Sequence, residues 1–125
     1  MILKDANLRG TDLGWADLSA ADLNRTNLIR TNLSAANLTE ANFSGANLSE
    51  ANLSEANLSE ALLLGSDLNK ANFGDNVKEL MPSQIRTAKN WENAYFSKGV
   101  LENLGLPPDH NEKLRKEIED NKAKE

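Results

Sequence analysis

Few residues of this sequence are of a type that could carry out chemistry. The chain of 125 residues contains no cysteine and a single histidine, His110. The lack of cysteine excludes disulfides, thiolate metal sites and cysteine nucleophiles. His110 follows two prolines in a charged segment and has no acidic or nucleophilic framework around it, so we interpret it as an exposed residue rather than a catalytic base. We expect no metal and no cofactor.

Three aspartates at a spacing of five residues, Asp12, Asp17 and Asp22, resemble a carboxylate cluster. Twenty residues later the same positions carry asparagine, at 32, 37 and 42. Asparagine keeps the side-chain acceptor of aspartate but not its charge. We therefore interpret the three aspartates as structural, and we predict that the protein is not an enzyme.

The elements that position these residues follow from a repeat of five residues. Leu or Phe stands at every fifth position from Leu3 to Phe73, fifteen times in all. From Ala6 onwards the residue two before each centre is Ala, Thr or Ser, and the residue one before is Asp or Asn in thirteen of fourteen repeats, Leu62 being the exception. A period of five fits neither a strand nor an amphipathic helix. Because Asn and Asp favour turns, the pattern predicts a coil with a corner in every unit and leucines inside.

The motif A(D/N)LxX over residues 3–75 resembles that of the pentapeptide-repeat family. The resemblance implies an all-β solenoid, a right-handed quadrilateral β-helix with four repeats in each coil. The central Leu or Phe and the small residue two before it would face inward, and the other three positions would face solvent. Fifteen repeats would give just under four coils, with residues twenty apart stacked on the same face.

This stacking predicts which charged side chains become neighbours. Asp5 would lie beside Arg25, and Arg30 beside Glu50. Opposite charges on neighbouring strands contribute roughly 0.2–1 kcal/mol per pair. The two pairs therefore favour a coil of twenty residues.

The same stacking brings like charges together on two neighbouring faces. Glu40 would stack on Glu60, and Glu55 on Asp75. The repeats carry the excess of acidic residues, with ten Asp or Glu against five Lys or Arg in residues 1–75. Either these carboxylates are exposed and screened at little cost, or they form an acidic patch for a partner.

Trp15 occupies an outward position of the repeat. It could stack on a sugar or a protein partner, or pack against the N-terminal residues. Together with the acidic columns it completes our candidate interaction residues: Trp15, Glu40, Glu55, Glu60 and Asp75.

Beyond the repeats of residues 1–75 we expect a helical cap over 76–106 and a charged, helical or frayed tail over 107–125. In the cap, Ser83 would begin a first helix and Ser97 a second. Apolar and aromatic residues recur at roughly helical spacing after Ser83: Ile85, Ala88, Trp91 and Tyr95. We interpret the cap as a lid over the last coil, with a ligand pocket at Trp91 as the alternative.

Two short stretches of the cap are similar to a tail of cyanobacterial pentapeptide-repeat proteins. They are Lys89-Asn90-Trp91 and Leu104-Gly105-Leu106-Pro107. This similarity indicates the type of organism more than the function.

Three functional hypotheses follow. The first is a non-catalytic scaffold that binds an unidentified protein partner. The alternative, implied by the family resemblance, is a regulator of a type II topoisomerase that mimics DNA in shape and charge. Columns of outward Ser and Thr leave ice or carbohydrate binding as a third hypothesis.

Partners and compartment are predicted from the ends of the chain and from its charge. A homodimer could form through the first coil, where Met1, Ile2 and Leu3 offer apolar side chains. The net charge of −5 disfavours nucleic acid and anionic membranes as direct partners. No targeting segment is visible, so we expect a cytoplasmic protein.

Overall fold

Backbone pairing between residues twenty apart organises the repeats. The computed structural model describes residues 1–74, 77 and 80–123. Parallel bridges join Ile2 to Asp22 and continue in steps of five residues to Asn52 and Asn72. Each bridge is a single residue because the chain turns after it, and the turn is closed by a backbone hydrogen bond such as that from Ala6 N–H to Leu3 O at 3.0 Å. The result is a solenoid of stacked parallel coils.

The interior of the solenoid is a stack of leucines and phenylalanines. All repeat centres from Leu23 to Phe73 are at most 2% exposed, as the repeat pattern predicts. Burying each such side chain contributes roughly 1.5–3 kcal/mol. The inward Ser and Thr are tolerated because their hydroxyls bond to backbone, as Thr26 does to Leu23 O at 2.8 Å. The first centres, Leu3, Leu8 and Leu13, are only partly buried.

The corners are formed by the last residue of each repeat. From Asp5 to Lys70, every fifth residue has a φ between 54° and 69°, the left-handed region that favours glycine. Asn and Asp therefore do not occupy the corners, where our sequence argument placed them. They lie on the bridges and brace the corner from there, because their side-chain oxygen accepts the N–H two residues ahead, as between Asn52 and Ser54 at 3.1 Å.

After the repeats the chain forms short elements on the last coil. Strand β1 (Asn72–Phe73) pairs in parallel with β2 (Tyr95–Phe96), which stacks the rings of Phe73 and Phe96 at 5.5 Å. Helices α1 (Pro82–Ile85), α2 (Lys98–Leu104) and α3 (His110–Ala123) flank this pairing, and a 3₁₀ turn spans Trp91–Asn93. The buried apolar side chains of this part join the same core cluster: Leu80, Ile85, Ala88, Ala94, Phe96, Leu101 and Leu104.

The prediction of a helix from Ser83 through Tyr95 was wrong. Helix α1 begins at Pro82 and ends at Ile85. The chain then runs along the last coil, where Lys89 N–H donates to Ser66 O at 2.7 Å and Lys89 O accepts from Leu68 N–H at 2.9 Å. The reason is that the edge of the last coil presents backbone groups that need partners, and this need outweighs helical spacing.

Side chains of α3 terminate the edge of β2. The Asn111 amide accepts a hydrogen bond from Phe96 N–H at 3.2 Å and donates one to Phe96 O at 2.7 Å. His110 Nε2 lies 3.0 Å from Ala94 O, so it is a partly buried contact of the cap and not the exposed residue that we expected. The predicted boundary between residues 75 and 76 lies outside the described residues, and the division into three segments stays a prediction.

Candidate interaction surface

The predicted acidic residues stand on the corners of the solenoid. Glu40, Glu55 and Glu60 are exposed, with φ of 60°, 62° and 59°. Among the described residues none of the three forms an ion pair. Asp75 lies outside the described residues. Glu40 and Glu60 belong to one corner column, and Glu55 belongs to the next.

Other corners pair their charges, as the sequence predicts. Arg25 Nε lies 2.9 Å from Asp5 Oδ1, and Arg30 Nε lies 2.5 Å from Glu50 Oε2. The hydrogen bond from Arg25 lowers the pKa of Asp5 below its ordinary value, and the hydrogen bond from Arg30 lowers that of Glu50. The unpaired carboxylates of Glu40, Glu55 and Glu60 therefore differ in environment from those of the paired corners.

The three aspartates considered for chemistry serve the backbone. The Oδ1 atoms of Asp12, Asp17 and Asp22 accept hydrogen bonds from the N–H groups two residues ahead at 3.0–3.1 Å. The Ser19 hydroxyl also donates to Asp17, and this contact lowers the pKa of that carboxyl. Within the described part of the chain no group of acidic or histidine side chains could hold a metal ion.

Trp15 projects from a corner into solvent. Its side chain is 81% exposed and its φ is 64°. This exposure excludes the interpretation that the indole packs against the N-terminal residues, since Met1 and Ile2 are themselves 69% and 82% exposed. The indole is therefore available to a partner.

Trp15 and Glu55 flank a groove on the side of the solenoid. They stand on the same corner column with Ala35 between them, and the small Ala35 side chain leaves the space between them open. The remaining lining residues are Ala36, Asn37, Asn57 and Val77, and the cavity measures about 820 Å³. We call this the Trp15 groove.

The two asparagines of the Trp15 groove present donors to its interior. Asn37 Oδ1 accepts from Thr39 N–H at 3.1 Å, and Asn57 Oδ1 accepts from Ser59 N–H at 3.0 Å. Because these bonds engage the oxygens, the side-chain NH₂ groups are left to bond to a ligand's acceptors. The groove thus combines an aromatic face, a carboxylate and two amide donors.

A second surface was missed by sequence reasoning. Leu62, Leu64 and Met81 are 55%, 65% and 56% exposed, and the two leucines line a cavity of about 330 Å³ together with Gln84 of α1. The sequence contained a signal for this surface, since Leu62 stands at the position before the repeat centre where the other thirteen repeats have Asp or Asn. Contiguous exposed apolar side chains are typical of interaction sites.

Trp91 is not an exposed side chain on which a ligand could stack. It lies in the 3₁₀ turn and packs, partly buried, against the core.

Within the described residues no helix is long and apolar enough to cross a membrane.

Comparison with known proteins agrees with the repeat pattern. The family described as "Pentapeptide repeats (8 copies)" matches over residues 2–40, 16–54 and 46–75. No curated protein matches the sequence.

Similar solved structures include two cyanobacterial proteins. The pentapeptide repeat protein Rfr23 from Cyanothece 51142 shares 32% identity with a TM-score of 0.62, over 76% of this chain and 63% of that protein. The pentapeptide repeat protein alr5209 from Nostoc Pcc 7120 shares 30% identity with a TM-score of 0.28, over 76% of this chain and 79% of that protein. The present chain thus spans less than two thirds of the length of Rfr23.

A third similarity involves QnrB1, a plasmid-mediated fluoroquinolone resistance protein. It shares 18% identity with a TM-score of 0.38, over 78% of this chain and 59% of QnrB1. A likeness at this level carries no argument about function.

Proposed function

The chain belongs to the pentapeptide-repeat family, with the right-handed β-helix solenoid of that family, and from this premise we propose that it is a non-catalytic scaffold for protein interactions. The proposed scaffold has just under four coils, closed by a helical C-terminal cap. The observation that carries the proposal is the set of large side chains exposed on a closely packed frame, above all Trp15 at 81% exposure. A rigid frame holds such side chains in place at little entropic cost on binding.

Affinity capture with a matched surface variant tests the scaffold. The variant combines Trp15→Ala, Leu62→Asn and Leu64→Ser, of which the last two restore residue types that the repeat uses elsewhere. All three side chains are more than half exposed, so the variant is expected to fold as the wild type does, by circular dichroism. We expect the wild type to retain a defined set of proteins that the variant loses. Identical sets on the two chains would contradict the proposal.

A second candidate function is regulation of a type II topoisomerase by mimicry of DNA. It is supported by the exposed carboxylates of Glu40, Glu55 and Glu60, which pair with no described cation. The assay is supercoiling by DNA gyrase with the wild type and with the triple variant Glu40→Gln, Glu55→Gln, Glu60→Gln. Mimicry requires inhibition that the triple variant loses. Inhibition that survives the change, or no inhibition at all, contradicts it.

A second copy of the chain is the partner proposed for the first coil. The support is the exposure of Met1 and Ile2 and the partial burial of Leu3. Light scattering should give a dimer for the wild type and a monomer for Ile2→Lys, a change that leaves the core untouched because Ile2 is 82% exposed. Monomers in both cases would contradict the dimer. The cytoplasm stays the predicted compartment.

A further inference from the structure

The dimensions of the Trp15 groove suit a flat cationic group. Trp15 and Glu55 lie on the first and third of three stacked backbone levels, which separates their backbones by roughly 10 Å at about 4.8 Å per level. Ala35 occupies the level between them and is the smallest of the three side chains. A guanidinium can therefore enter between the indole and the carboxylate.

The chemistry of the groove selects positive charge. An indole face attracts Lys and Arg side chains, Trp being the best aromatic partner, and Glu55 adds a negative charge at the other wall. Among the described lining residues there is no basic side chain. Arg is the better fit because its planar guanidinium stacks on an aromatic ring and also pairs with a carboxylate.

The two asparagines that line the groove suit an extended backbone. The NH₂ groups of Asn37 and Asn57 are donors, and their oxygens are already engaged by backbone N–H groups. Peptide carbonyls are the acceptors that such donors meet in a polypeptide. This combination favours a peptide over a free cation, which would bring no acceptor.

We propose that the Trp15 groove binds an extended, arginine-rich segment of a partner protein, with one guanidinium held between the Trp15 indole and the Glu55 carboxylate. The Asn37 and Asn57 amides bond to the backbone of that segment. This inference rests on the proposed scaffold function and names the partner of one of its surfaces.

The first experiment follows the indole N–H signals of the full chain by NMR during titration with an acetylated, amidated hexa-arginine peptide. The chain has two tryptophans, and Trp91 lies outside the groove, so it serves as an internal reference. We expect the Trp15 signal to shift saturably while the Trp91 signal stays in place. A stationary Trp15 signal overturns the proposal. A shift with cellohexaose but not with hexa-arginine also overturns it and assigns the groove to carbohydrate.

The second experiment separates recognition by the groove from general attraction to an acidic protein. Fluorescence polarisation of labelled hexa-arginine measures its Kd for the wild type, Trp15→Ala, Glu55→Gln and the control Glu40→Gln. Glu40 is also exposed on a corner and undergoes the same charge change, but it lies outside the groove. Trp15→Ala should raise the Kd about two- to fivefold, as for an exposed cation–π contact. Glu55→Gln should raise it about twofold or more, as for an exposed ion pair, and Glu40→Gln should leave it within about 1.5-fold.

Equal effects of Glu55→Gln and Glu40→Gln would overturn the proposal, because they would show attraction by net charge alone. An unchanged Kd for Trp15→Ala would overturn it as well. Failure here is distinct from failure of the scaffold, since the capture experiment also reports on Leu62 and Leu64. Capture with a variant that carries Leu62→Asn and Leu64→Ser but keeps Trp15 separates the two: if that variant loses the same proteins, the scaffold stands without an occupied Trp15 groove.

Discussion

The side chain of Asn111 bonds to the backbone at the open edge of strand β2, and replacing Asn111 by alanine should destabilise the cap. Its amide is the only described partner of both backbone groups of Phe96 on the open side of β2. Phe96 is 1% exposed and its ring stacks on Phe73 of the last coil. The Asn111→Ala change removes both hydrogen bonds without removing any apolar surface from the core.

The magnitude follows from two opposing terms. Each hydrogen bond contributes about 0.5–1.5 kcal/mol net, and a buried backbone group left unpaired costs about 1–3 kcal/mol. Alanine is favoured over asparagine within a helix by at most about 0.7 kcal/mol, and residue 111 lies in the first turn of α3. The loss is larger than the gain, so we expect a net destabilisation of about 1–3 kcal/mol.

Urea unfolding and amide hydrogen exchange together provide the assay. Asn111→Ala should lower the urea midpoint, and the Phe96 amide should lose protection before the amides of the coils do. The control is Lys116→Ala, an exposed substitution on the same helix, which should change stability by less than about 0.5 kcal/mol. A change below about 0.5 kcal/mol for Asn111→Ala, with the Phe96 amide still protected, would refute the argument that the side chain terminates the sheet.

Three further outcomes are expected. Leu62→Asn should stabilise the chain by about 0.5–1.5 kcal/mol in urea unfolding, because its new oxygen would accept the N–H two residues ahead; a lower midpoint would contradict this. Leu33→Ala should cost about 2–5 kcal/mol and Leu8→Ala clearly less, since Leu33 is 0% exposed and Leu8 only partly buried; equal costs in the same assay would show that burial does not set them. The folded-state pKa values of Asp5 and Glu50 are lowered by their arginine partners, so the stability from these pairs is present above the unfolded pKa values and is lost as pH falls through the folded ones. Between about pH 5 and pH 2 the wild type should therefore lose more stability than the variant Asp5→Asn, Glu50→Gln, and parallel curves would contradict the linkage.

Prediction from sequence was most complete where one rule repeats. The period of five identifies the buried centres, and the four repeats per coil that the family resemblance implies identify the residues twenty apart that pair. The Asp5–Arg25 and Arg30–Glu50 pairs follow from these two rules together. The stacking of each side chain then depends only on its position in the coil.

The rest depends on contacts that no local pattern contains. The path of residues 86–96 is set by unpaired backbone groups of the last coil, about twenty residues earlier in the chain. Asn111 bonds to Phe96, fifteen residues away. The Trp15 groove exists because Ala35 stands between Trp15 and Glu55, a feature of one column rather than of the repeat.

The left-handed corners have a consequence for how such a protein diverges. Each corner side chain leaves the same backbone geometry and points away from the leucine stack, so one corner residue can be exchanged without repacking the interior. One column alternates in charge, with Arg30, Glu50 and Lys70. Another column carries Trp15, Ala35 and Glu55. Selection can therefore alter the binding specificity of one column while the determinants of folding stay fixed, and homologues with the same core can acquire unrelated partners.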